Sequence, residues 1–226
     1  MKRPLLILLM LFLLNVPSQA MEGKLTIGVS LHPYYSWVQA IVGNLADVVP
    51  IIAEGSDPHS YQPRPEDIEK IASLDALVIN GMGHDDYIKP MIKAAENKNL
   101  TVIDPHQGVP LIPTHQKSYE FEKTQKQENI SYNSHTYISI NGAAQQIYNI
   151  AGELTKLRPE YGDQFKNNAR DYVKGLRAML ATALQEINAI EPNDIRIATV
   201  HDGYAYLLSE LGIEVAAVIQ PRHGIE

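Results

Sequence analysis

The 226-residue chain contains no cysteine. That absence excludes disulfides, thiolate metal sites, iron-sulfur clusters and cysteine nucleophiles, and it leaves an exported chain to draw its stability from a packed core. Positive charge is also scarce, with 19 Lys and Arg against 26 Asp and Glu for a formal net charge of -7. Loss of the first twenty residues would remove Lys2 and Arg3, leaving 17 basic against 26 acidic side chains, or 17 - 26 = -9. Nucleic acid is therefore excluded as the expected partner. The sequence carries no HExxH, GxSxG or GxxxxGK phrase, the local signatures of a helix-borne zinc protease site, a nucleophile elbow and a phosphate loop. Its longest apolar run, residues 5–14, is shorter than the roughly 20 residues a membrane-spanning helix needs.

That run has another reading. Lys2 and Arg3 precede it and Ser18-Gln19-Ala20 follows it, before Met21. A basic start, an apolar middle and a small-residue site describe a secretory signal, here residues 1–20, removed on export. With no cysteine to carry a lipid, the mature form is expected to be soluble and free of the membrane, in the periplasm of a Gram-negative cell.

Histidine is what the chain does have. His59, His135 and His201 lie in the phrases SDPHSYQPRPEDI, NSHTYISI and ATVHDGY, each at the end of an expected strand or in the loop after one. Neutral imidazole is a good ligand for a borderline divalent ion, and three converging from distant parts of the chain would make a nitrogen-rich site suited to zinc.

The order of elements alternates. Strands are expected at residues 25–30, 48–53, 76–80 and 100–103, with helices from Pro33, from Pro65 and over 85–97. Pro65 followed by Glu66 and Asp67 is a good helix start with acids in the first turn. Residues 106–133 lose apolar periodicity and read as a mobile polar loop. A helix over 141–157 then leads to the longest periodic segment, 161–190, which at 1.5 Å per residue would span about 45 Å. A strand at 195–200, a helix at 203–211 and a strand at 213–219 begin a second unit. The pattern is an α/β fold with mostly parallel sheets. It divides into a first lobe (21–158), a connecting helix (159–191) and an incomplete second lobe (192–226).

The phrases GVSLHPYYSWV, EGSDPHSYQPRPEDIEKIASLDALVINGMGHDDYI, SHTYIS and VHDGYAYLLSELGIEV, together with the long helix, stand in one order over residues 25–226. In that arrangement the chain resembles the zinc and manganese substrate-binding proteins of bacterial ABC transporters, which have two α/β lobes joined by a rigid helix. The resemblance implies that His59, His135 and His201 bind the metal in the cleft between lobes. It favours Zn2+ over Mn2+, because members that look manganese-specific carry glutamate where this chain has His201, and a carboxylate suits the harder ion. It also implies a fourth, carboxylate ligand from a part of the second lobe beyond residue 226. The expected function is capture of zinc and delivery to a permease and its ATPase, by a monomer that does no chemistry and whose lobes move little about the long helix. Affinity would fall as pH drops through the usual histidine value near 6.5.

Other residues have humbler readings. His84 and Asp202 are possible supports just outside the site, His84 otherwise capping a helix and Asp202 an N-cap for the helix beginning at Gly203. Glu54 and Asp57 are candidates for a missing acidic ligand. Tyr34, Tyr35 and Trp37 are expected to pack the first helix, and His32, His106, His115 and His223 to be solvated or bonded locally. A zinc hydrolase would need an open coordination position and a base near the bound water. A metal-sequestering or adhesin-like protein would need the site alone. Both remain alternatives at this stage.

Overall fold

The computed structural model describes residues 23–114, 131–190 and 197–219. The expected signal segment, most of the polar loop, His115 and His223 lie outside these described residues.

Four parallel strands form the first sheet: β1 (Leu25–Val29), β2 (Ala46–Pro50), β3 (Ala76–Val78) and β4 (Thr101–Ile103), in the order β2-β1-β3-β4. Alternation along a strand sends neighbouring side chains to opposite faces, and β3 shows it plainly. Ala76 and Val78 pack into one core while Leu77 packs into the other. The first core lies under α1 (His32–Val42), α4 (Ile140–Leu157) and α5 (Gly162–Asn188). Helix α1 buries Tyr34, Trp37, Val38, Ile41 and Val42, the i, i+3, i+4, i+7, i+8 stripe of a helix with one apolar face. Tyr35 points outward, 38% exposed. The second core gathers Ile51, Ile71, Leu74, Leu77, Ile88 and Met91 beneath α2 (Pro65–Ala72) and α3 (Ile88–Ala95). Gly28 of β1 leaves room for Leu74, in the turn between α2 and β3, since a Cβ there would stand 2.3 Å from Leu74 Cδ1.

A second, two-stranded parallel sheet pairs β5 (Ile197–Thr199) with β6 (Val215–Val218), and α6 (Ala205–Glu210) connects them. Short 3-10 turns precede α4 (Thr136–Ile138), α5 (Pro159–Tyr161) and α6 (Asp202–Tyr204).

Three elements differ from the sequence reading. Strand β2 begins and ends earlier than residues 48–53, because Leu25 to Val29 pair with Ala46 to Pro50. Ile51 and Ile52 are buried in the turn that follows rather than in the strand. Helix α3 starts at Ile88 instead of 85 because the Asp85 carboxylate is tied back to the sheet, accepting from the N–H groups of Asn80 and Gly81 and the hydroxyl of Ser30. Helix α5 has 27 residues, about 40 Å at 1.5 Å each, and its buried side chains are Phe165, Ala169 and Val173. Met179, farther along the same stripe, is 65% exposed. No described helix is long and apolar enough to cross a membrane.

Candidate metal centre

His59 sits in the loop between β2 and α2. The Asp57 carboxylate accepts the His59 N–H at 3.0 Å and the Ser60 hydroxyl at 2.8 Å. These bonds, the His59 N–H first, hold the Asp57 carboxyl below its ordinary range. Farther on, the buried Asp67 carboxylate takes the Tyr61 hydroxyl, the Arg64 N–H and the Lys70 ammonium. The loop is thus pinned at both ends before any metal is considered.

His135 opens the 3-10 turn before α4, and its ring orientation follows from its neighbours. Asn133 Nδ2 donates to the Asp202 carbonyl at 2.6 Å, and Asn133 Oδ1 accepts the His135 N–H at 2.9 Å. A carbonyl can only accept and a backbone N–H can only donate, so the amide cannot be turned around. The same Oδ1 lies 2.8 Å from His135 Nδ1. Nδ1 must therefore carry the proton, which leaves the Nε2 lone pair for the cleft, the second-sphere arrangement common to metal-bound histidines.

His201 follows β5, and its Nε2 lies 3.0 Å from His135 Nε2. Two nitrogens bound to one tetrahedral zinc at 2.0–2.1 Å would stand about 3.3 Å apart. The structure brings potential ligand atoms of His59, His135 and His201 all within 4.8 Å of one another, and the group holds no carboxylate. Asp57 spends both oxygens on its own loop, while Glu54 lines a different cavity beside His32. Neither acid stands in the cluster.

His84 stands beside this centre, as a support just outside the three-nitrogen group. Its ring is 4.2 Å from that of His59 and 4.7 Å from that of His135. It does not cap α3, whose N-terminal flank is Tyr87 with no side-chain cap. Its Nε2 lies 3.1 Å from the Tyr137 hydroxyl and its Nδ1 3.4 Å from Ser134 Oγ. Both nitrogens are engaged outside the three-nitrogen group. Asp202 does not serve as the expected side-chain N-cap either; it lies in the first turn of the 3-10 segment after His201, and it reaches the centre through its carbonyl on Asn133.

Burial pushes His84 down to about 3, with repulsion from the other three imidazolium charges next, and it pushes His135 down to about 4, with His201 and His59 adding to it. For His135 the expected proton competition near 6.5 is corrected downward, because a buried ring disfavours its charged form.

Asn133 and Gly203 are functional neighbours that sequence reasoning missed. A Cβ on Gly203 would crowd His201 Cδ2 at 3.1 Å while only touching His135 Nε2 at 3.6 Å, so glycine leaves room for the His201 ring. Gly203→Ala is expected to leave the fold intact and weaken metal binding about tenfold by displacing the His201 ring, the size of change typical of groups that orient ligands. Equal affinity by calorimetry would show that the space is not needed. A signal for Asn133 was present in the sequence. Asp57-Pro58-His59, Asp104-Pro105-His106 and Asn133-Ser134-His135 each place an Asp or Asn two residues before histidine, and in all three the side-chain oxygen accepts the histidine N–H. His106, read as locally bonded, joins Asp104 at 2.9 Å and Thr136 at 2.7 Å.

The family model of the periplasmic zinc-uptake complex component A, ZnuA, matches residues 27–225. The zinc-binding protein AdcA of Streptococcus pyogenes serotype M3 is 23% identical over 207 residues, covering 87% of this chain and 40% of its own length. The zinc-binding lipoprotein AdcA of Streptococcus pneumoniae serotype 4 is 22% identical, covering 92% and 42%. The chain thus spans about 40% of the length of these AdcA relatives. Among solved structures, the solute-binding protein FpvC of Pseudomonas aeruginosa in complex with Mn2+ superposes with a TM-score of 0.77 at 44% identity, over 90% of this chain and 71% of FpvC. A crystal structure of ZnuA gives a TM-score of 0.72 at 25% identity, over 86% and 71%. The family is one of transport receptors rather than enzymes, and this chain belongs to it as a member of the ZnuA family of periplasmic metal-binding proteins.

Proposed function

We propose that the chain captures Zn2+ in the periplasm, as a soluble monomer, and delivers it to an ABC permease driven by its ATPase. His59, His135 and His201 would ligate the ion, with His84, Asn133 and the Asp202 carbonyl supporting them. The two sheets are read as the two lobes and α5 as the helix that joins them. The observation that carries this reading is the meeting of three imidazoles from separate loops, with potential ligand atoms within 4.8 Å. Zinc is the favoured cargo because an all-imidazole set suits borderline ions and binds Mn2+ weakly. Three such ligands leave one tetrahedral position for water or an oxygen donor. FpvC has been seen with Ni2+ as well as Mn2+, and nickel is expected to compete with zinc here, since both stand above Mn2+ in intrinsic affinity.

Calorimetric titration of the metal-free chain tests the reading. One Zn2+ per chain is expected, with Mn2+ bound at least about 100-fold more weakly. Tighter binding of Mn2+ than Zn2+ would sink the zinc assignment. The delivery step is tested separately, by asking whether the zinc-loaded chain stimulates ATP hydrolysis by its permease complex in liposomes; no stimulation would remove that step.

A further inference from the structure

The first turn of an α-helix leaves four backbone N–H groups without partners inside the helix. In α4 the N–H groups of the first three helical residues find partners outside the ladder. The Gly142 N–H donates to Ser139 Oγ at 2.9 Å, and the regular i→i−4 ladder begins with the Ala143 N–H on the Ser139 carbonyl, also at 2.9 Å. The remaining two, from Ile140 and Asn141, donate to the two carboxylate oxygens of Glu210 at 2.7 and 2.8 Å. A carboxylate held by two N–H groups at a helix N-terminus combines charge-assisted hydrogen bonds with the favourable end of the helix dipole.

Glu210 is the last residue of α6, the helix that follows His201. Its clamp therefore fastens the far end of the segment that presents His201 onto the helix that follows His135. Two more bonds fasten the near part of the same segment. The Asp202 carbonyl is held by Asn133, and the buried Tyr206 hydroxyl donates to the Asn133 carbonyl at 2.8 Å while accepting the Ile112 N–H at 3.0 Å. None of these bonds involves a metal. The seam is closed by protein groups alone, and it leaves the Nε2 atoms of the two imidazoles 3.0 Å apart, with the rings nearly perpendicular.

We propose that Glu210 is a positioning residue for metal capture: by capping α4 it holds His201 against His135 before the ion arrives, and so slows the ion's release although it touches no metal. The proposal rests on the three-histidine site put forward above. Without Glu210 the segment from 202 to 210 would keep only the bonds near its start, and His201 would sample positions from which the ion is lost.

Ser139 supplies the discriminating control, because it caps the same helix from within the same segment and makes no bond to α6. Glu210→Ala, Glu210→Gln and Ser139→Ala would be compared with the parent chain by stopped-flow release of Zn2+ to a chelator and by thermal melting. Both alanine variants are expected to melt earlier, since both uncap α4. Glu210→Ala alone is expected to release zinc about tenfold faster, with Glu210→Gln, which keeps one accepting oxygen, in between. A metal-free readout separates this proposal from the site on which it rests. The chain lacks cysteine, so Lys156→Cys and Ser209→Cys, in α4 and α6, take spin labels cleanly. Their distance distribution without metal is expected to broaden in Glu210→Ala and not in Ser139→Ala. If the parent chain binds no zinc, the site assignment fails while the label distances still decide whether Glu210 fixes the segment. Unchanged release and unchanged distances in Glu210→Ala, or equal changes in Ser139→Ala, would overturn the proposal.

Discussion

Alanine in place of His135 is expected to weaken zinc binding by roughly 100- to 1,000-fold, the largest loss among the three histidines. A structural zinc site of four ligands gains about 10–16 kcal/mol in total, so each ligand accounts for roughly 3–4 kcal/mol. At 1.4 kcal/mol per tenfold, that is two to three decades. His135 should stand at the upper end because its ring is the best fixed. It is 8% exposed, and its Nδ1 is locked onto an amide that the Asp202 carbonyl holds in place. The rings of His59 and His201 are more open to solvent, so a water molecule can enter and offset part of their loss. The variant should fold, because Asn133 Oδ1 still receives the backbone N–H at position 135. Calorimetry beside a thermal melt checks both statements. A loss smaller than that of His59→Ala in a chain of unchanged melting temperature would mean that His135 is not the anchor of the site.

The sequence made the periodic elements legible and the tertiary ones opaque. The stripe of α1 and the proline and acidic start of α2 are local, and the structure has them where the residues place them. The start of α3 was misread because Asp85 looks like a helix-opening acid, yet its carboxylate is spent on the ends of β1 and β3, a contact that no local pattern reveals. His59, His135 and His201 were visible as loop histidines after strands, and parallel sheets gather such loops along one edge. His84, read as a support just outside the site or a helix cap, does stand beside the cluster, but what buries it was not legible: the ring is 4% exposed and meets Tyr137 and Ser134, which lie 53 and 50 residues farther along the chain. Glu210 and Asn141 are 69 residues apart. Such a cap has no sequence signature, because the acid comes from another element instead of from the helix's own first turn.

The metal-free chain is expected to lose stability as pH falls from about 7 toward 4, and the buried histidines set that window. In the unfolded chain both His84 and His135 take protons near the usual 6.5. In the folded chain burial delays this until about 3 and about 4, respectively. Between those limits the unfolded state binds more protons, so stability rises with pH and is lost on acidification. It is fully present above about 6.5, and the loss ends only where the folded rings themselves protonate. At pH 5, about 1.5 units below the unfolded value, each histidine costs roughly 2 kcal/mol, or roughly 4 kcal/mol together. That is a large part of the 5–15 kcal/mol typical of a whole domain. The hydrogen-bonded carboxyls of Asp57 and Asp104 are held low in the native state and act in the same direction, but only near and below about 4. Urea denaturation at pH 7.5, 6 and 5 reads the slope directly. His84→Phe is expected to reduce that slope by about half, whatever it does to stability at pH 7.5, because it removes one of the two titrating rings. A midpoint that does not move between pH 7.5 and 5 would contradict the burial of neutral imidazoles at the centre. Bound zinc also demands neutral imidazole, so metal and fold both favour the uncharged form of the His135 ring.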